Sequence, residues 1–268
     1  MQKLLLILLA IYPINLFAGP WVPEVGSGYH KIGFNSFRAT ENFGGDEGFE
    51  EFTSRSITYY GEVGLAEDLA LFASIPFQDL EQIFDGNRTS DSGIGDVELG
   101  LRYNWIDSPI LFSTAFTFKL PYFYDDGSEL PLGNGQEDYE LKLLFGNSLG
   151  KFGYWGAEAG YRLRTDFPSD EYRYVLEYGI NLTENLYFRS KLDGIKSVGN
   201  ASDQGDDNTA NLARTSEFDL GKLELATGWN FRFNGEQNWG LEFAWTKDLY
   251  GSNILEGENF QLGLVYQH

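Results

Sequence analysis

Asp96-Val-Glu-Leu-Gly-Leu-Arg-Tyr-Asn-Trp105 decides the fold. Val97, Leu99, Leu101, Tyr103 and Trp105 fall on one parity, and Asp96, Glu98, Gly100, Arg102 and Asn104 on the other. A helix would scatter the two sets around its axis. A strand, whose side chains alternate between faces, sorts them completely.

The same period of two spreads outward from this segment. Ile110–Leu120 sets Phe112, Phe116 and Phe118 against Ser113, Thr117 and Lys119, and Asp138–Ser148 sets Tyr139, Leu141, Leu143 and Phe145 against Glu140 and Lys142. Tyr172–Leu182 and Trp239–Leu249 repeat the pattern, with weaker versions over 28–37, 51–63, 69–77, 153–163, 186–195, 217–233 and 259–268. That makes about twelve strands, each near the 9–11 residues that cross a bilayer at a tilt.

The connections sort by parity. Those near 64–68, 106–109, 149–152, 183–185 and 234–238 are short, while 38–50, 78–92, 121–137, 164–171, 196–216 and 250–258 are mostly longer. Alternating short and long connections are what outer-membrane barrels show, with short turns on the periplasmic side and long loops outside. Tyr59, Trp105, Trp155, Phe233, Trp239 and Tyr266 fall beside the short turns, as an aromatic girdle would. Glu41, Asp46, Glu47, Glu50, Asp79, Glu81, Asp85, Asp91, Asp125, Asp126, Glu129 and Glu137 gather in the long ones, and Asn200–Asn211 reads as a disordered loop.

Composition agrees. Aromatics make up 16% of 268 residues and glycine contributes 32, a pairing suited to strands that meet a lipid interface and turn tightly. The net charge of −21 argues against nucleic acid, whose phosphates demand clustered Lys and Arg. The absence of cysteine excludes a disulfide scaffold and a thiolate metal site. At the start, Lys3, the apolar run Leu4–Ile11 and the small residues Ala18 and Gly19 have the form of a cleavable secretory signal, although Leu16 stands where a small residue is preferred. That run is too short to span a bilayer as a helix, and no later stretch qualifies. A membrane-embedded mature chain must then be a closed barrel. The expectation is an all-β protein: a signal peptide over 1–18, then one antiparallel transmembrane β-barrel domain over 19–268.

In lipid the apolar parity faces outward and the charged parity inward. The inner wall would carry Asp96, Glu98, Glu140, Glu158, Glu177, Asp193, Glu224 and Glu242, with Arg102, Lys142, Arg162, Arg173, Arg189, Lys191, Lys222 and Arg232 as basic partners. Such residues can brace the interior by pairing across it, or form a narrow polar conduit; twelve strands lie between the filled and the channel-forming barrel sizes. An inward-folded loop, Pro121–Gln136 or Lys196–Ser216, could close what remains.

Catalysis finds little support. A hydrolytic nucleophile needs an oriented base, and His30 and His268 both belong to the periplasmic end. Two separated histidines exclude a conventional zinc site, and the acidic loop stretches lack the spacing of a dedicated Ca²⁺ loop. No enzyme activity, cofactor or metal is expected.

Tyr60-Gly-Glu-Val-Gly-Leu-Ala-Glu-Asp-Leu-Ala-Leu-Phe and Ser92-Gly-Ile-Gly-Asp-Val-Glu-Leu-Gly-Leu-Arg-Tyr resemble the outer-membrane transporters named after the meta-pathway of phenol degradation, together with the XagA-like proteins. Gly26-Ser-Gly-Tyr-His-Lys-Ile-Gly-Phe is similar to the first strand of the latter group. The likeness covers mainly the chain up to Trp105. It implies an outer-membrane barrel with a role in passage of small molecules or in surface biology, and it transfers no catalytic residue. The final strand departs from the usual ending in Phe: Phe260, Leu262, Leu264 and Tyr266 alternate, but His268 stands last. The expected partners are outer-membrane lipid and lipopolysaccharide, the barrel-insertion machinery and a small solute. The competing reading is a non-conducting surface barrel with a structural, adhesive or biofilm-matrix role.

Overall fold

A computed structural model describes residues 19–43, 49–166, 168–201, 217–233 and 237–268. Residues 1–18, where a signal peptide is expected, Asp46 and Glu47, and most of the 196–216 loop fall outside the described residues. Thirteen strands follow in chain order: β1 (Gly28–Asn42), β2 (Phe49–Ala66), β3 (Leu69–Phe84), β4 (Asn87–Ile94), β5 (Val97–Ile106), β6 (Leu111–Leu120), β7 (Asp138–Ser148), β8 (Tyr154–Arg164), β9 (Glu171–Asn181), β10 (Leu186–Ser197), β11 (Asp219–Phe233), β12 (Gln237–Ser252) and β13 (Leu255–Gln267).

Every pairing between these strands is antiparallel, and β1 pairs with both β2 and β13, which closes the sheet on itself. β3 pairs with β5 over Leu69–Ser74 and with β4 over Phe77–Phe84, so β4 and β5 form one stave broken at Gly95-Asp96. The result is a closed barrel of twelve staves. Closure leaves no sheet edge to meet hydrocarbon, the condition for spanning it with strands.

The faces are inverted relative to a water-soluble barrel. Leu101 on β5 and Phe116 on β6 stand opposite each other, 44% and 48% exposed, while Glu62, Glu140 and Glu242 are each only 1% exposed. Apolar side chains cover the outside and charges fill the inside, the arrangement of a transmembrane barrel. Trp105 is exposed where β5 ends, and Trp239 packs on Tyr266 with ring centroids 4.9 Å apart.

Stave height is uneven. Strands β5 to β10 run 10–12 residues, about one bilayer crossing. Their neighbours β11, β12, β1, β2 and β3 run 15, 16, 15, 18 and 16 residues and rise past the apolar band at the end opposite the termini. Here the expected loops need correction. Residues 78–92 form the top of a β3–β4 hairpin turned by Asp85 (φ 48°) and Gly86 (φ 73°), both with the positive φ of a two-residue hairpin turn. Residues 250–258 are largely strand as well, β12 and β13 being separated only by Asn253 and Ile254, and 38–50 contributes to β1 and β2. Above the membrane the outward positions carry Arg38, Arg55, Asp79 and Glu81, so the apolar alternation that reveals a strand disappears there.

The loop between β6 and β7 folds into the barrel at this same end. Leu130 and Leu132 are buried against Leu80, with Phe52 and Tyr124 packed beside them. Gln78 Nε2 donates to the Leu132 carbonyl at 3.0 Å, and the Tyr124 hydroxyl donates to Asp96 at 2.6 Å. Gly95 makes the fit: a Cβ there would lie 2.0 Å from Gln78 Nε2 and 2.9 Å from the Leu132 oxygen.

Candidate functional site in the barrel interior

Ion pairs within staves, between neighbouring staves and across intervening ones define the interior. Arg162 on β8 reaches Glu98 on β5 at 2.8 Å and Glu140 on β7 at 2.6 Å, with longer contacts to Asp138 and Glu171. Arg173 on β9 joins Glu140 at 3.2 Å, and Lys142 bridges Glu140 and Glu158 at 3.4 and 3.7 Å. Lys119 holds Asp96 and Asp138 at 3.2 and 3.1 Å. Carboxylates this buried would be costly alone; sharing each among several cations offsets their desolvation.

A second cluster occupies the opposite wall. Arg189 on β10 contacts Glu224 on β11 at 2.9 Å, Glu242 on β12 at 3.3 Å and Glu177 on β9 at 3.9 Å. Lys31 on β1 crosses β13 to meet Glu242 at 2.5 Å, the Tyr187 hydroxyl donates to the same carboxylate, and Lys191 meets Glu224 at 3.3 Å. A third pair, Arg102 on β5 and Glu62 on β2, spans β3 at 2.7 Å, and Tyr60 donates to Glu62 at 2.9 Å.

Of the charged positions picked from the sequence, thirteen of the sixteen take part in these pairs. Asp193, Lys222 and Arg232 do not. Lys222 stands opposite Asp248, and Arg232 is exposed at the end of β11 that lies beside the termini. The sequence reading omitted Glu62, Lys31, Lys119, Asp138, Arg164 and Glu171, all of which belong to the network. Lys119 and Lys31 have the correct parity; Glu62 is a single charge between Gly61 and Val63 and gives little signal. The two histidines, separated in sequence, come together where the barrel closes: their rings stack at 5.3 Å and His30 Nδ1 lies 2.9 Å from the Tyr59 hydroxyl. Among the described residues no group of three or more His, Cys, Asp or Glu converges as a metal site would require.

Two cavities lie among these groups. The larger set of charges surrounds a space of about 410 Å³, walled by Glu98, Arg102, Lys142, Glu158, Arg189 and Glu224, among others. Beyond it, toward the end opposite the termini, a space of about 440 Å³ mixes Phe37, Leu220, Ile254 and Leu255 with Lys191, Asp193, Lys222 and Asp248.

The end beside the termini is crossed by the segment that precedes β1. Gly26 N donates to the Gly64 carbonyl at 3.0 Å, fixing the segment to β2. From there it crosses to the far wall: Arg102 Nη1 donates to the Trp21 carbonyl at 2.9 Å, Ser113 Oγ donates to the Pro20 carbonyl at 2.5 Å, and Trp21 meets Tyr154 edge-on at 5.3 Å. A Cβ at Gly146 would lie 2.8 Å from Pro20 and 3.0 Å from Trp21. No periodicity announces this strap, and the sequence reading missed it.

A charged interior, an apolar exterior, a strap across one mouth and a loop in the other can be compared with known proteins. The COG4313 outer membrane channel from Pseudomonas putida F1 superposes with a TM-score of 0.68 at 15% identity, over 93% of this chain and 97% of that one. The fold is that of an outer-membrane β-barrel. The translocator domain of the autotransporter NalP from Neisseria meningitidis (TM-score 0.52, 12% identity, 91% and 89% covered) and the NanC porin (0.52, 7%, 87% and 98%) share the architecture more loosely. No family model matches the sequence, and no curated protein does.

Proposed function

We propose that this protein is an outer-membrane channel for small solutes, its termini on the periplasmic side and its inward-folded loop facing out. The observation that carries this is the space of about 410 Å³ inside the ring, walled by carboxylates and cations together. A barrel that needed only bracing would fill that space with side chains. Charges of both signs suit small polar or amphiphilic solutes, and the strap and loop narrow the path at either end. The channel fold of the Pseudomonas putida neighbour supports the reading, and so do the segments Tyr60–Phe72 and Ser92–Tyr103, through their likeness to the transporters named after the meta-pathway of phenol degradation. Insertion by the outer-membrane assembly machinery and contact with lipopolysaccharide follow from that location.

Planar-bilayer recording tests the proposal. Steady channels of small conductance are expected, and Glu140→Gln, which removes a negative charge from the interior, should shift ion selectivity toward anions. A correctly folded barrel that stays silent would favour the non-conducting surface role instead.

A further inference from the structure

We propose that the outer of the two cavities is a binding site for α-amino acids with apolar side chains. Asp193 on β10, Lys222 on β11 and Asp248 on β12 stand in one row, opposite each other across adjacent staves. All three face the space of about 440 Å³. Lys191 and Glu224, on the same wall, hold each other at 3.3 Å. Asp248 is 5% exposed and accepts the Gly257 N–H at 2.9 Å. Asp193 and Lys222 are the charges left over. They attract each other without closing to contact, and neither makes a hydrogen bond or ion pair with a described residue.

Around this pair the wall is largely apolar. Leu220 and Leu255 are each 8% exposed, Ile254 joins them, and Phe37 lies over Gly257, where a side chain would strike its ring. An apolar pocket of this size with a few convergent polar groups is the usual form of a small-molecule site. A solute carboxylate alone would be drawn to Lys222 but held beside two carboxylates. An amine alone would be drawn to Asp193 but held beside an ammonium. Only a solute with both charges satisfies the pair. Neighbouring strands lie about 4.8 Å apart, a spacing that suits an ammonium and a carboxylate carried on one carbon. The carboxylate seats on Lys222, the ammonium on Asp193, and the side chain against Phe37 and the leucines. Taken as the cargo of the channel, the amino acid rests on the function proposed above; the site itself does not.

Calorimetric titration of the full protein in detergent tests this, with L-phenylalanine as the probe. Its comparators are 3-phenylpropionate, which lacks the ammonium, 2-phenylethylamine, which lacks the carboxylate, and glycine, which lacks the ring. Phenylalanine should bind saturably and each comparator about tenfold or more weakly, since a site built to pair a group rejects the analogue without it. Lys222→Met and Asp193→Asn should each weaken phenylalanine by a similar factor, whereas Asp193→Asn should leave 3-phenylpropionate no weaker. No binding to the native protein, equal binding of phenylalanine and either single-charge analogue, or an affinity that survives either substitution overturns the proposal. Should the variants fail to insert, the four-ligand comparison in the native protein decides. Binding by a barrel that passes no current keeps the site and removes the channel; current without binding does the reverse.

Discussion

Arg162 and Glu98 meet at 2.8 Å although two whole strands, β6 and β7, lie between the staves that carry them. The contact is a chord through the ring. Arg162 also neutralises Glu140, so its loss strands several carboxylates in the interior at once. Arg162→Met should destabilise the barrel by about 3–5 kcal/mol, the cost of breaking a buried ionic cluster from one side. Unfolding in urea in lipid vesicles measures this, and a change below 1 kcal/mol would show that water already relieves the cluster.

The strap should govern conductance. Gly146→Leu places a side chain where Pro20 and Trp21 now sit, and also against the Trp155 carbonyl of β8, so the fold of the variant is checked alongside its conductance. The expected result is a several-fold larger single-channel conductance with normal heat-modifiable migration on gels. Equal conductance in the two proteins would mean that the constriction lies elsewhere.

Position relative to the bilayer should dominate substitutions on the outer wall. Phe116→Arg puts a charge among Leu101 and Leu141, its partners on the neighbouring staves, and should cost about 2–4 kcal/mol near mid-membrane. Arg55→Phe, on the tall part of β2 above the apolar band, should change stability little. Comparable effects at the two sites, measured by vesicle unfolding, would contradict the placement of the band.

Acid should loosen one outer corner. Asp170 joins the β8–β9 loop to the segment after β10: it accepts from the Arg164 N–H at 2.8 Å, the Tyr161 hydroxyl at 2.7 Å and the Asn200 amide at 2.9 Å. Burial alone would raise its pKa, but these hydrogen bonds and the Arg164 charge outweigh burial and hold the carboxyl below the usual value. A group depressed in the folded state contributes its stabilisation above the unfolded pKa, about 3.9, and loses it as pH falls through the folded value. Hydrogen exchange at Arg164 and Asn200 should therefore stay slow at neutral pH and accelerate only below about pH 4, while Asp170→Asn should exchange faster at every pH. Acceleration already at pH 6 would assign the lock to another group.

The transmembrane part of this fold is legible because lipid imposes a rule on every second residue. Leu99, Leu101 and Phe116 had to be apolar, and the strand count followed from them. Where lipid ends the rule ends: Asp79 and Glu81 face water, so the tall β3–β4 hairpin reads as loop. The interior charges were legible as a set, by parity. Their partners were not, since Arg162 finding Glu98, or Arg102 finding Glu62, depends on the curvature of a closed ring rather than on neighbouring strands. The strap is illegible for a simpler reason: Pro20-Trp21-Val22-Pro23 has no period at all.

The strap is tethered to β1 and β2, yet its seats, Arg102, Ser113, Gly146 and Tyr154, belong to β5, β6, β7 and β8 on the opposite arc. Those four sites face one another only once the circle of staves is whole. The residues ahead of the first strand are thus the last to find their place, and an incompletely assembled barrel has no means of shutting its own door.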